Sequence, residues 1–388
     1  MVDRHAIVEH PGGRVARRTV PVAWLAFGIF VVILALIVVG WLLVTLKVDA
    51  IVMAIPALVP LGIVLAAVWW LDRWEREPRV LIALALLYGS GASIVGTLLS
   101  SNFMIDVASQ VLQTPGEFNE FSILVQGPVL EETMKGLGLV LILLIAPRQF
   151  DGPLDGFIYA AMIGAGFAFT ENIIYFANQG STGLAFVWLL VVRCILSPFA
   201  HVLFTGMTGM ALGWGARRGG FARPALWGLL GLGLAIIAHA FWNGGSVLVL
   251  PLLGIAPTHP LGWVVFYLVV QVPIFVLVAW FLVRLQERDR RTLRRRLREY
   301  QNAGWFTPAE VSMICHWDAR ERALSWAKEK GPDARKAMQA FIDDSTRLAF
   351  AREHASVNKR DADRRVVERA LLDRVRAHRR ELSDAIAA

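Results

Sequence analysis

Cysteine is nearly missing from this 388-residue chain: there are two, Cys194 inside an apolar run and Cys315 in the polar C-terminal third. Two isolated thiols exclude a disulfide framework and a cysteine metal motif. A His-Glu-x-x-His segment, the helical signature of many zinc proteases, is also absent, as is any internal repeat of convincing length. Charged residues make up 18% of the chain and hydrophobic ones 56%. That composition is too apolar for an ordinary soluble protein and defines a polytopic membrane protein. A removable leader is not expected. The first apolar run, from Val22 to Leu46, follows Arg14, Arg17 and Arg18 but is too long for a signal core, and Lys47, Val48 and Asp49 offer no small-residue cleavage site. It reads as a signal-anchor helix.

With about 20 apolar residues needed per crossing, eight spans are expected, at about 22–46, 51–71, 80–101, 121–146, 155–177, 184–215, 225–250 and 262–283. The fold class is therefore all-α: a membrane bundle of about eight transmembrane helices with a small helical C-terminal region. The sixth span is too long for one straight helix, and its Ser197–Pro198 step is expected to kink it.

Basic residues are scarce in one set of alternate loops, which holds Lys47 alone. The other set holds Arg14, Arg17 and Arg18, then Arg73, Arg76 and Arg79, then Arg148, then Arg217, Arg218 and Arg223, then the tail. By the positive-inside rule both termini are cytoplasmic, and the acidic loop 102–120 lies outside a cell membrane. Three regions follow: a cytoplasmic tail at 1–21, a transmembrane domain at 22–283, and a basic helical cytoplasmic region at 284–388. The net charge of +8 comes mostly from that last region. Juxtamembrane arginines are the usual mark of a cytoplasmic face, so no nucleic-acid partner is expected; a cytoplasmic partner or anionic lipid is the expected contact of this tail. Within it, Thr307, Pro308 and Glu310 form a capping-box pattern that should start a helix carrying Val311, Ile314 and Trp317 and ending at Gly331–Pro332. Two more helices are expected at about 333–354 and 359–384.

Several strongly polar residues nevertheless sit within the apolar spans: Glu131, Glu132 and Lys135 in the fourth, Glu171 and Asn172 in the fifth, His201 in the sixth, His239 and Asn243 in the seventh. Each charged group in hydrocarbon costs about 2.5–3.5 kcal/mol on insertion scales, so a chain carrying several must hide them together. Glu131 and Lys135, four apart, share a helix face; Glu132 is turned about 100° away and is a spare carboxylate only on the plainer reading, that of a structural ion pair. Gly164, Ala165 and Gly166 permit close helix approach before Glu171. His201, Thr205 and Gly209 form one stripe, and His239 and Asn243 lie side by side, able to bind an anionic oxygen. The plainer readings are a structural ion pair, a protonated Glu171 gluing helices, and a histidine bonded to a carbonyl. The functional one is a carboxylate that takes a proton from water. Helical rise puts Glu131 and His239 near mid-depth and Glu171 higher, so the four spans can face one chamber open to the outer side.

The ordered set Glu131-Glu132-x-x-Lys135, Phe167-x-x-x-Glu171-Asn172, His201 with Gly209 eight residues on, and His239-x-x-x-Asn243 resembles the PrsW family of intramembrane proteases, relatives of the CAAX-processing proteases. The resemblance spans about Trp69 to Gly244 and leaves out the tail. It implies a helical peptidase that cuts a membrane-anchored, single-pass protein substrate in the bilayer, in the family's founding case an anti-sigma factor cut on its extracytoplasmic side during envelope stress. By position it makes Glu131 the water-activating base with Glu132 its close partner, and His239 and Asn243 the oxyanion site, with Lys135 and Asn172 in support. The prenyl-processing relatives carry a histidine where this chain has Glu171, so His201 is expected to supply the assisting imidazole. No cofactor is favoured; zinc held by His201, His239 and Glu171 stays open. An ion-coupled transporter with a proton relay, and a scaffold with a structural polar core, are the competing readings.

Overall fold

The computed structural model describes residues 22–387 except 151, 180–182, 218–221, 257–258, 260 and 358–361. The expected tail at 1–21 lies outside the described residues. No strand occurs among them, and seven helices are long and apolar enough to cross a membrane: Val22–Leu46, Val48–Leu71, Arg79–Ala108, Pro153–Asn178, Leu184–Ala216, Ala222–Leu252 and Gly262–Asn302. The remaining expected span is the stretch carrying Glu131, Glu132 and Lys135, whose charges take it out of an apolar count. It runs from a capping box at Thr114 through Pro115–Phe121 and a wide π turn at Ser122–Gln126 into the helix Gly127–Ile145. The protein is thus a multi-pass, all-α membrane bundle.

The helix Pro153–Asn178 is its centre, buried on nearly every side. Glycine makes that possible. A Cβ on Gly209 would overlap the Gly156 carbonyl, one on Gly156 the Gly209 carbonyl, and one on Gly213 the Gly152 carbonyl. Further along, a Cβ on Gly164 would stand 2.8 Å from the carbonyl oxygen of His201. These small residues bring the Glu171 helix and the His201 helix into backbone contact, the usual way membrane helices pack without a hydrophobic drive between them.

The sixth span breaks where proline demands it. Leu184–Leu190 widens into a π turn at Val191–Leu196, the chain leaves helical form at Ser197, and a new helix begins at Ala200. Carbonyls at the break find donors: the Tyr267 hydroxyl donates to Leu196 O at 2.7 Å, and the Ser197 hydroxyl adds a bond at 2.7 Å to Val192 O, which also accepts Ser197 N. Pro60 likewise leaves Pro56 O without its helical partner, and the Cys194 thiol lies 3.7 Å from that oxygen.

The last membrane helix continues well past the bilayer-length segment to Asn302, so residue 284 falls within one continuous helix. On it, the Gln286 amide donates to Trp70 O at 2.7 Å and Leu71 O at 3.2 Å, closing the end of the second helix. The C-terminal helices pack around Leu293, Leu297, Ile314, Phe341 and Leu348, with Trp74 from the membrane region in the same core. The Thr307 capping box is formed. The single helix expected from Pro308 to Gly331 is instead two, Pro308–Cys315 and Trp317–Glu329, because His316 is extended and its ring bonds back to Ser312 O at 2.7 Å.

Candidate active site

Four helices deliver the polar residues to one place. Lys135 and Glu132 are fully buried, and the Lys135 ammonium lies 2.8 Å from Glu132 Oε1, 3.1 Å from Glu131 Oε2 and 2.9 Å from His201 Nδ1, with the Phe167 ring centre 3.9 Å away. Glu132 is not spare. Its Oε2 accepts the Thr205 hydroxyl at 3.0 Å and its Oε1 meets His239 Nδ1 at 3.1 Å. The helical turn that separates it from Glu131 aims it at the His201 and His239 helices, each of which supplies one donor; sequence spacing shows only one helix at a time and cannot see them.

His201 is held at both nitrogens. Its Nε2 lies 2.9 Å from Glu171 Oε2, and that same oxygen accepts Arg193 at 2.8 Å. Arg193 also donates to Asn172 Oδ1 at 2.9 Å and stacks over the Tyr175 ring at 3.7 Å. The imidazoles of His201 and His239 stand edge to face, 5.3 Å between centres, and His239 stacks on Phe204 at 4.7 Å. The structure therefore gathers Glu131, Glu132, Lys135, Glu171, Asn172, His201 and His239, and adds Thr205 and Arg193. Asn243 stays apart, exposed and donating to Ile123 O at 2.9 Å. Arg193 was missed by sequence reasoning, although a lone arginine four residues before the Ser197–Pro198 break was a legible signal.

Proton bookkeeping narrows the arrangement. An ammonium has three N–H donors and no acceptor, and Lys135 has three partners: two carboxylates and His201 Nδ1. That nitrogen must then be the lone-pair one, so the ring proton sits on Nε2 and is donated to Glu171. Three carboxylates face two permanent cations, Lys135 and Arg193, leaving one negative charge in excess when both imidazoles are neutral. Of the three acids, Glu131 has the fewest hydrogen bonds: one, from Lys135 to Oε2, with the His201 ring farther off at 3.8 Å, whereas Glu171 Oε2 meets both Arg193 and His201 within 2.9 Å. Its side chain is 14% exposed, as is that of Glu171, against 0% for Glu132.

Glu131, Glu132, His201 and His239 present donor atoms within 4.8 Å of one another, the right chemistry for a divalent metal. The space among them is contested, however. Three of the four donors already lie within 3.1 Å of the Lys135 ammonium, and a divalent ion among them would stand against that charge. With Lys135 so placed the residues do not fit a metal, and no chemical step is routed through one.

The fold and the site together define a class: a polytopic helical membrane protein with a buried carboxylate and imidazole centre. More narrowly, the chain belongs to the PrsW family of intramembrane metalloproteases, whose sequence profile matches residues 77–278, the whole of the polar cluster included. It is similar to Protease PrsW of Clostridioides difficile, 32% identical over 144 residues, which are 36% of this chain and 58% of that protein. It is 27% identical to Protease PrsW of Geobacillus kaustophilus over 153 residues, 39% of this chain and 62% of that protein. With Protease PrsW of Bacillus subtilis the identity is 24% over 231 residues, 59% of this chain and 92% of that protein. The chain thus spans about three fifths of the first two relatives. No solved structure matches it.

Proposed function

We propose that this protein is an intramembrane endopeptidase that cuts a membrane-anchored, single-pass protein by attack of water, with Glu131 as the base. The observation that carries the reading is Glu131's position: a carboxylate with an unbonded oxygen, partly open, with a single hydrogen bond, from Lys135, and an imidazole beside it. A water held by that oxygen gives its proton to Glu131 as its own oxygen bonds to the scissile carbonyl carbon; the proton then passes to the leaving amine nitrogen as the C–N bond breaks. Glu132 takes no proton, because Lys135, Thr205 and His239 use both of its oxygens; it holds His239 in place. His239 and Asn243, four residues apart on one helix, are the proposed oxyanion donors. Asn243 has a second amide hydrogen left after bonding Ile123 O.

The family supports a membrane protein as substrate, and an anti-sigma factor is the specific substrate we propose. We further propose a plasma-membrane location with both termini cytoplasmic, the loop 102–120 outside, a peptidase bundle over 22–283 and a cytoplasmic region over 284–388 that meets a partner protein or anionic lipid.

The test is cleavage of single-pass membrane substrates by the full chain in lipid vesicles. Glu131→Gln should lower turnover by about a thousandfold or more while the melting temperature stays within a few degrees; a variant that still cuts at the wild-type rate removes Glu131 as the base. Exhaustive chelation should leave wild-type cleavage intact, and elemental analysis should find less than one metal per ten chains. Loss of activity on chelation, restored by zinc, would overturn the metal-free assignment.

A further inference from the structure

Arg193 belongs to no part of the proposed chemistry, yet it is the second cation of the site. It sits in the π turn Val191–Leu196, where Ser197 N reaches back five residues to Val192 O at 2.8 Å. Three residues of the neighbouring helix clamp its guanidinium. Glu171 and Asn172 accept from it, and the ring centre of Tyr175, one turn past Glu171, lies 3.7 Å from its central carbon. A seat over an aromatic ring with adjacent acceptors suits a guanidinium and leaves it little freedom. A guanidinium so fixed fixes what it bonds.

Glu171 is what it bonds, and Glu171 is the partner of His201 Nε2. We propose that Arg193 is a positioning residue that anchors the Glu171 carboxylate so that His201 keeps its proton on Nε2 and turns its Nδ1 lone pair to the Lys135 ammonium, which also holds Glu131. A ring flipped to the other tautomer would point an N–H at the ammonium, donor against donor, and push Lys135 off both carboxylates. The carboxylate that holds a catalytic imidazole in one tautomer is a recurrent device; here that carboxylate is itself held by an arginine from a third segment. A bare ion pair that only neutralises Glu171 would not require this geometry. The effect on turnover rests on the reading of the site as a peptidase; the effect on the imidazole does not.

The experiment uses the full chain in nanodiscs with its eight histidines labelled with nitrogen-15, the His201 signal being identified by its loss in His201→Gln. Wild type should show the Nε2–H tautomer at His201. Arg193→Met should give a mixture of tautomers and lower kcat about tenfold to a hundredfold with KM unchanged within about twofold, and Arg193→Lys should restore the single tautomer and part of the rate. An unchanged His201 signal in Arg193→Met, or a wild-type ring protonated on Nδ1, overturns the proposal whatever the rate does. If Arg193→Met does not fold, Arg193→Gln, which keeps a hydrogen-bonding end without the charge, is read by the same criteria. A tautomer that responds as expected in a protein that cleaves no substrate keeps the positioning role and sinks the peptidase reading instead.

Discussion

The membrane bundle and the C-terminal region both carry networks of acids and bases, and they use them in opposite ways. In the bundle, Lys135 and Glu132 have no exposure at all, and Glu131, Glu132 and Glu171 each meet a cation. In the C-terminal region many pairs have an arginine at the surface: Arg291 on Glu287 is 73% exposed, Arg295 on Glu353 59%, Arg352 on Glu299 46%, although Glu353 itself is only 10% exposed. Water does for the second set what only specific partners do for the first. The same chemical pair is therefore dispensable in one place and indispensable in the other.

The comparison breaks first, if it breaks, at Lys135. Lys135→Met leaves Glu132 buried with only His239 and Thr205 as donors, and should cost about 3–5 kcal/mol of stability along with all cleavage. Denaturation in detergent measures it, and a loss below about 1 kcal/mol would mean the bundle tolerates unpaired charge as the surface does.

A middle case lies at the seam between the two regions. Asp72, just past the second membrane helix, accepts Glu77 N at 2.9 Å, and burial pushes its carboxyl up to about 7 from 3.8 although that hydrogen bond and Arg76 pull it down. The folded chain then keeps a proton that the unfolded chain has released. Stability should fall as pH rises from about 4 to about 7 and be level above, by at most roughly 4 kcal/mol. In Asp72→Asn that fall should disappear, which melting temperatures of the two proteins across this range would show.

The smallest effect is expected at Arg291. Arg291→Ala removes an exposed pair and should change stability by less than about 0.5 kcal/mol. A loss of 2 kcal/mol or more would place the C-terminal networks with the buried ones.

Much of this was legible in the chain. Apolar run lengths marked the helices, and the ends at Leu46, Leu71 and Asn178 fall within a residue or so of the expected ones. Thr307 announced its cap and Pro198 its break, because both act on backbone groups a few residues away. The four-residue pairing of Glu131 with Lys135 was readable for the same reason. Glu132 was not, since its partners Thr205 and His239 are 73 and 107 residues distant and no local pattern links them. The break at His316 was also missed, in a stretch whose helix-forming residues continue on both sides of it.

By itself the sequence determined that this is a helical membrane protein and that its polar residues must be hidden together, because the cost of charge in hydrocarbon is a property of each residue wherever it goes. Only the tertiary structure decided how they are hidden: that Lys135 serves three acceptors at once, that Glu131 keeps one oxygen open, that Arg193 joins the site and that Asn243 stands at its edge. Those outcomes depend on which helix faces touch, and glycines such as Gly156, Gly164 and Gly209 set that by letting backbones meet where any side chain would hold them apart.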